Sequence, residues 1–145
     1  MNRRTLLRSV SAAAFLPPLT SGVAHEAGDP GPAAETVYEL RVYHAAPGKL
    51  EQLLARFRDH TVAIFARHGM KSVAYWTPVD EPQKSNTLIY ILRHPSRAEA
   101  EANWKSFQDD AEWKCVKAKS EENGKLVEKV DSTFMSLTDF SPRLR

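Results

Sequence analysis

Thr36-Val37-Tyr38-Glu39-Leu40-Arg41-Val42-Tyr43-His44 alternates Tyr38, Leu40 and Val42 with Glu39, Arg41 and Tyr43. Successive side chains of a strand point to opposite faces of a sheet, so this alternation predicts a strand with one apolar and one polar face. Pro47-Gly48 then turns the chain into a helix, along which Leu50, Leu53, Leu54, Phe57, Thr61, Ile64 and Phe65 recur at helical spacing until Gly69. Residues 70–78 and 87–93 are rich in β-branched and aromatic side chains and read as two strands. The Asp, Pro and Asn residues of 79–86 make the hairpin loop between them. Ser96 with Glu99 has the spacing of a capping box. Ala98, Ala102, Trp104 and Phe107, then Trp113, Val116 and Ala118, suit one helix or two in sequence, ended by Asn123-Gly124. Residues 126–137 form a last strand, with Val127, Lys129 and Asp131 alternating with Glu128, Val130 and Ser132. The order β-α-β-β-α-β predicts a ferredoxin-like α+β unit, an antiparallel sheet with helices on one face.

Leu88-Ile89-Tyr90-Ile91-Leu92 is apolar on both faces, although helices in such a unit cover only one. The uncovered face needs a partner, and a second copy is the simplest supply. A homodimer that closes two sheets into a shared barrel, a dimeric α+β barrel, is therefore expected.

Asn2-Arg3-Arg4-Thr5-Leu6-Leu7-Arg8, followed by the short apolar stretch from Val10 to Leu16, resembles a bacterial twin-arginine export signal. Gly22 and Ala24 suit a cut before His25. This predicts a signal peptide over 1–24, a Gly/Pro/Ala-rich linker over 25–35 and a domain over 36–142, working in the periplasm or secreted. The alternative is an uncleaved, membrane-tethered leader. Its apolar stretch falls short of the ~20 residues that span a bilayer, so no stable span is expected after cleavage. Of the 20 Lys and Arg residues, 3 lie in the leader, leaving 17 against 18 Asp and Glu. The remaining chain carries no basic run, which argues against nucleic acid as a partner. Cys115 is the sole cysteine, so no intrachain disulfide can form.

Tyr38-Glu39-Leu40-Arg41-Val42-Tyr43, Pro47-Gly48-Lys49, His60, Arg67-His68-Gly69, Trp76, Leu88-Ile89-Tyr90-Ile91-Leu92 and Trp104-x-x-Phe107 resemble the NIPSNAP family. So do Glu112-Trp113, Phe134-Met135 and Thr138-Asp139-Phe140-Ser141-Pro142. The resemblance covers nearly the whole domain. It implies a dimeric α+β barrel, of the superfamily that includes cofactor-free monooxygenases, haem-degrading enzymes and chlorite dismutases. It implies no single reaction, because fold kinship alone does not carry chemistry.

Candidate site residues come from the polar alternation. If Tyr38, Leu40 and Val42 pack on the helices, Glu39, Arg41 and Tyr43 point into the barrel. There Arg41 could fork a carboxylate or enolate, Tyr43 could donate to an oxygen, and Glu39 could accept a proton. The alternative is an internal Glu39–Arg41 pair that satisfies two buried charges. His60 falls between Phe57 and Ile64 on the apolar side of the first helix, as a general base or a hydrogen-bonded core residue. His68 suits the dipole at that helix's C-terminus. Trp76 and Tyr90 are pocket candidates beside Tyr43, and Trp104 and Trp113 join the second helical region to the sheet.

No metal site is expected. His60 and His68, eight residues apart, are separated by roughly 12 Å of helix, and no ligand-spaced motif occurs. His44 and His94 both end strands and could approach in space. No cofactor is predicted; non-covalent haem on His60 or His94 is the alternative. The expected ligand is a small apolar or aromatic molecule. Cofactor-free oxygenation or proton transfer is the fitting chemistry if the chain is an enzyme. The competing reading is a binding or assembly module whose dimer surface is its function.

Overall fold

A computed structural model describes residues 35–142 and Leu144, so the leader and most of the linker lie outside the described residues. Strand β1 (Val37–Ala45) is followed by helix α1 (Leu50–Arg56), a π turn (Phe57–Thr61) and helix α2 (Val62–Arg67). Strands β2 (Lys71–Trp76) and β3 (Thr87–His94) come next, then α3 (Arg97–Asp109), α4 (Ala111–Ser120) and β4 (Val127–Met135). The sheet runs β2-β3-β1-β4, and every neighbouring pair is antiparallel. This is the ferredoxin-like α+β arrangement expected from the element order.

Sequence-level capping sets the helix limits. Ser96 Oγ accepts from the Glu99 amide at 3.1 Å and opens α3. Asp110, with extended backbone, breaks the second helical region in two and caps α4 by accepting from the Trp113 amide at 3.0 Å. Gly69 adopts φ +73°, and the Met70 amide reaches back to the Phe65 carbonyl at 3.0 Å, closing α2 with the left-handed turn that glycine permits.

The core lies between the sheet and the helices. Leu88, Tyr90 and Leu92 of β3 pack with Leu53, Phe57, Ile64, Phe65 and Phe107, and Tyr43, Tyr75, Trp104 and Trp113 close around them. The β1–β3 register pairs Glu39 with Leu92, Arg41 with Tyr90 and Tyr43 with Leu88. The polar set of β1 therefore shares the helix-covered face with the core.

This reverses the expected orientation. Tyr38, Leu40 and Val42 do not pack on the helices, and Glu39, Arg41 and Tyr43 do not point toward a second sheet. Leu40 is paired with Ile91 and Val42 with Ile89 on the open face. All four are half-buried within one chain. The physical reason is that Glu39 and Arg41 arrive under the helices as an ion pair, so the apolar set is free to face outward.

The first helix contains a second correction. The Val62 amide bonds to the Phe57 carbonyl across the π turn, and Thr61 Oγ1 donates to the Arg56 carbonyl at 3.2 Å. The extra residue in that turn keeps Phe57 and Thr61 inward and leaves His60 exposed. His60 is thus not a core histidine. His44 and His94 are also not neighbours, because the antiparallel register places them at opposite ends of the β1–β3 ladder.

Candidate functional site

Glu39 is the centre of the polar network under the helices, and its side chain is 1% exposed. Four groups donate to its carboxylate. Arg41 Nη1 and Ser132 Oγ each reach Oε1 at 2.7 Å. Trp104 Nε1 reaches Oε2 at 2.6 Å and His94 Nε2 reaches it at 3.1 Å. These donors come from β1, β3, α3 and β4, so one carboxylate ties the sheet to its helix layer.

Burial by itself would raise the Glu39 pKa. The hydrogen bonds from His94, Trp104 and Ser132, together with the Arg41 charge, outweigh it and bring the carboxyl down to about 2. A carboxylate so held is a weak base. Its physical role is to fix Arg41, whose guanidinium also lies 4.1 Å above the Trp104 ring and 5.5 Å from the Tyr43 ring.

Arg41 keeps an unused donor. Its Nε is buried with no hydrogen-bond partner among the described residues, while the side chain as a whole is 17% exposed. Tyr43 forms the floor of an open cleft of about 480 Å³ over β4, walled by Trp113, Val127 and Val130. Arg56, Lys117, Lys125 and Lys129 line that cleft against Glu121 and Glu128, so cations outnumber anions there.

Tyr90 sits beneath Tyr43, fully buried among Phe57, Phe65 and Tyr75, with ring centroids 5.3 to 5.9 Å away. Its hydroxyl has no hydrogen-bond partner among the described residues. Burial pushes its pKa well above the ordinary tyrosine value, so it stands as a neutral donor.

Four of the six sequence-derived candidates therefore come together: Glu39, Arg41, Tyr43 and Tyr90. His60 does not join them and lines a separate cleft against α4. Trp76, 46% exposed, pairs with Ile89 on the open face and is not a wall of this site. His94, Trp104 and Ser132 are network members that the candidate set left out. For His94 a signal existed, since the alternation Leu88, Tyr90, Leu92, His94 places it on the Tyr90 face.

His68 does more than suit a helix dipole. It bonds Ser106 Oγ at 2.8 Å and Asp110 Oδ2 at 2.7 Å, so it links the end of α2 to the α3–α4 break.

His94 has no exposed surface and its Nε2 is engaged by Glu39, while His60 stands on the outside of the helix layer. Among the described residues no group of three or more His, Cys, Asp or Glu side chains could hold a metal ion. No helix among them is long and apolar enough to cross a membrane.

A four-stranded antiparallel sheet with one helix layer and a charged network beneath it defines an α+β domain of the ferredoxin-like class. The chain belongs to the NIPSNAP family, whose profile matches residues 38–142. It is similar in structure to an uncharacterized NIPSNAP-like domain protein from Burkholderia xenovorans. That match has 16% identity and a TM-score of 0.66, covering 77% of this chain and 92% of the other. A NIPSNAP family protein from Agrobacterium tumefaciens is similar at 21% identity and TM-score 0.65, covering 74% and 98%. A variant of SnoaB, a cofactor-independent oxygenase from Streptomyces nogalater, shares the fold at 15% identity and TM-score 0.50, covering 76% and 100%. No curated protein matches the sequence.

Proposed function

We propose that this domain binds a small aromatic or apolar molecule bearing an acidic oxygen on the helix-covered side of its sheet, over Tyr43 and beside Arg41. The observation that carries this reading is Arg41 itself. It is a guanidinium fixed by Glu39 and Trp104, its side chain 17% exposed beside the Tyr43 ring, with a buried Nε that has no partner among the described residues. Such an arrangement is pre-organised to meet a carboxylate, phenolate or enolate. The cationic surplus around the cleft favours the same ligand charge.

The enzymatic form of this reading is cofactor-free oxygenation of, or proton transfer to or from, an enolisable aromatic compound; SnoaB, which shares the fold, is a cofactor-independent oxygenase. In that form Arg41 steadies the enolate, and Tyr43 orients it. Glu39 acts as the positioning group for Arg41.

A homodimer accompanies this reading. Leu40, Val42, Ile89 and Ile91 leave an apolar open face that Trp76 extends, and a second sheet would cover it. An assembly role draws on the same observation. The leader residues Arg3, Arg4 and Arg8 support export by the twin-arginine route to the periplasm or beyond.

The test is a titration of the protein with hydroxylated naphthoates, followed by quenching of tryptophan fluorescence. Wild type binds, Arg41→Lys keeps the charge but loses the fork, and its affinity drops about tenfold or more. Equal affinity in a folded Arg41→Lys protein, or no binding by any member of the series, would refute the reading.

A further inference from the structure

A second cleft, of about 600 Å³, lies between the π turn and α4. Ala55 and Val116 supply its apolar surface, Arg56 one wall, and His60, Cys115 and Lys119 its rim. None of these residues belongs to the Glu39 network.

Arg56 is the unusual member. It is 5% exposed, and its Nη1 donates to Ser120 Oγ at 3.2 Å and Glu121 Oε1 at 3.0 Å. Its Cζ lies 5.2 Å from the Trp113 ring centroid, and its buried Nε has no partner among the described residues. A buried donor left without an acceptor costs about 1–3 kcal/mol. An acceptor oxygen in the cleft would remove that cost with a small shift of the guanidinium.

The π turn is the independent second observation. It interrupts an otherwise regular helix and delivers His60 to the cleft rim rather than to the core. Such interruptions cost helical hydrogen bonding and concentrate at functional sites. Of the two acids in the lining, Glu112 is already engaged by Arg67 at 2.9 Å, which reduces its repulsion of an incoming anion.

We propose that this cleft is a second binding site, separate from the Arg41 site, for a small apolar molecule ending in a carboxylate. The apolar body lies on Ala55 and Val116. The carboxylate accepts from Arg56 and Lys119, and His60 adds a donor at the rim. Arg56 also lines the cleft over Tyr43, so it partitions the two sites.

Cys115, exposed on the rim, provides the readout. Its alkylation by iodoacetamide is followed by intact mass, with and without 2-naphthoate or the neutral 2-naphthamide. 2-Naphthoate at about four times its Kd slows alkylation about fivefold, as roughly 80% occupancy would, and 2-naphthamide protects less. The protection ratio falls toward unity in Ala55→Trp, which fills the apolar floor, and drops in Arg56→Lys. It persists in Arg41→Lys, which separates this site from the one over Tyr43. An unchanged alkylation rate overturns the proposal. So does equal protection by the amide, protection that survives in Ala55→Trp, or protection lost in Arg41→Lys.

Discussion

The two faces of the sheet are built on opposite principles. Under the helices, Glu39 gathers four donors from four elements, and rings of Tyr43, Phe57, Tyr90 and Trp104 close around the network. On the other face, Leu40, Val42, Ile89 and Ile91 carry no such network and remain half-buried in one chain. The difference teaches that polarity alone does not say which side of an amphipathic strand meets solvent. A buried charge is tolerated where its partners arrive with it, whereas an apolar strip without a cover calls for another surface.

Removing the centre of the helix-side network should have the largest effect. Glu39→Ala leaves Arg41 without its counter-charge and Trp104, His94 and Ser132 without their acceptor. Loss of one partner of a buried ion pair costs about 3–5 kcal/mol. Chemical denaturation followed by circular dichroism measures it, and a loss below about 1 kcal/mol would show that the network does not hold the fold.

Acid should reveal the same network without mutation. The Glu39 carboxyl is depressed from 4.5 to about 2, so protonation favours the unfolded chain. Its contribution is fully present above the unfolded value, fades as pH falls below 4.5, and is gone near 2. A shift of that size corresponds to on the order of 3 kcal/mol. Glu39→Gln should flatten this part of the pH–stability curve, and an identical acid limb in the two proteins would assign the loss to other carboxylates.

A smaller effect is expected at the α3–α4 break. Asp110 caps α4 and also accepts from His68 at 2.7 Å and Arg67 at 2.9 Å. Hydrogen bonds from His68 and Arg67 and the Trp113 amide hold its carboxyl well below the usual range. Asp110→Ala should lower stability by about 1–2 kcal/mol, the range of a lost helix cap. A melting temperature indistinguishable from wild type would mean that the break is fixed by packing alone.

Much of the fold was legible in the sequence because each element carries a local signal. Periods of two and of helical spacing marked strands and helices, Ser96 with Glu99 marked a helix start, and Gly69 marked a stop. The element order then gave the topology. The sign of the β1 alternation was not legible, because a period of two has no inside or outside until a partner from elsewhere is known. Trp104 lies 65 residues and Ser132 lies 93 residues from Glu39, and nothing local joins them. His60 was misplaced because helical spacing assumes a regular helix, and the π turn changes the phase at that residue. Arg56 held a readable clue, since it stands three residues after Leu53 on the apolar side of α1.

Leu40 and Arg41 are chain neighbours on opposite faces, so they offer the sharpest contrast. The measurement is the solution mass of Leu40→Arg and Arg41→Gln by light scattering, with circular dichroism to establish that each is folded. The account predicts a folded monomer for Leu40→Arg and a dimer for Arg41→Gln. A dimer that survives Leu40→Arg, or one that falls apart only in Arg41→Gln, would contradict the division of the sheet into an assembly face and a ligand face.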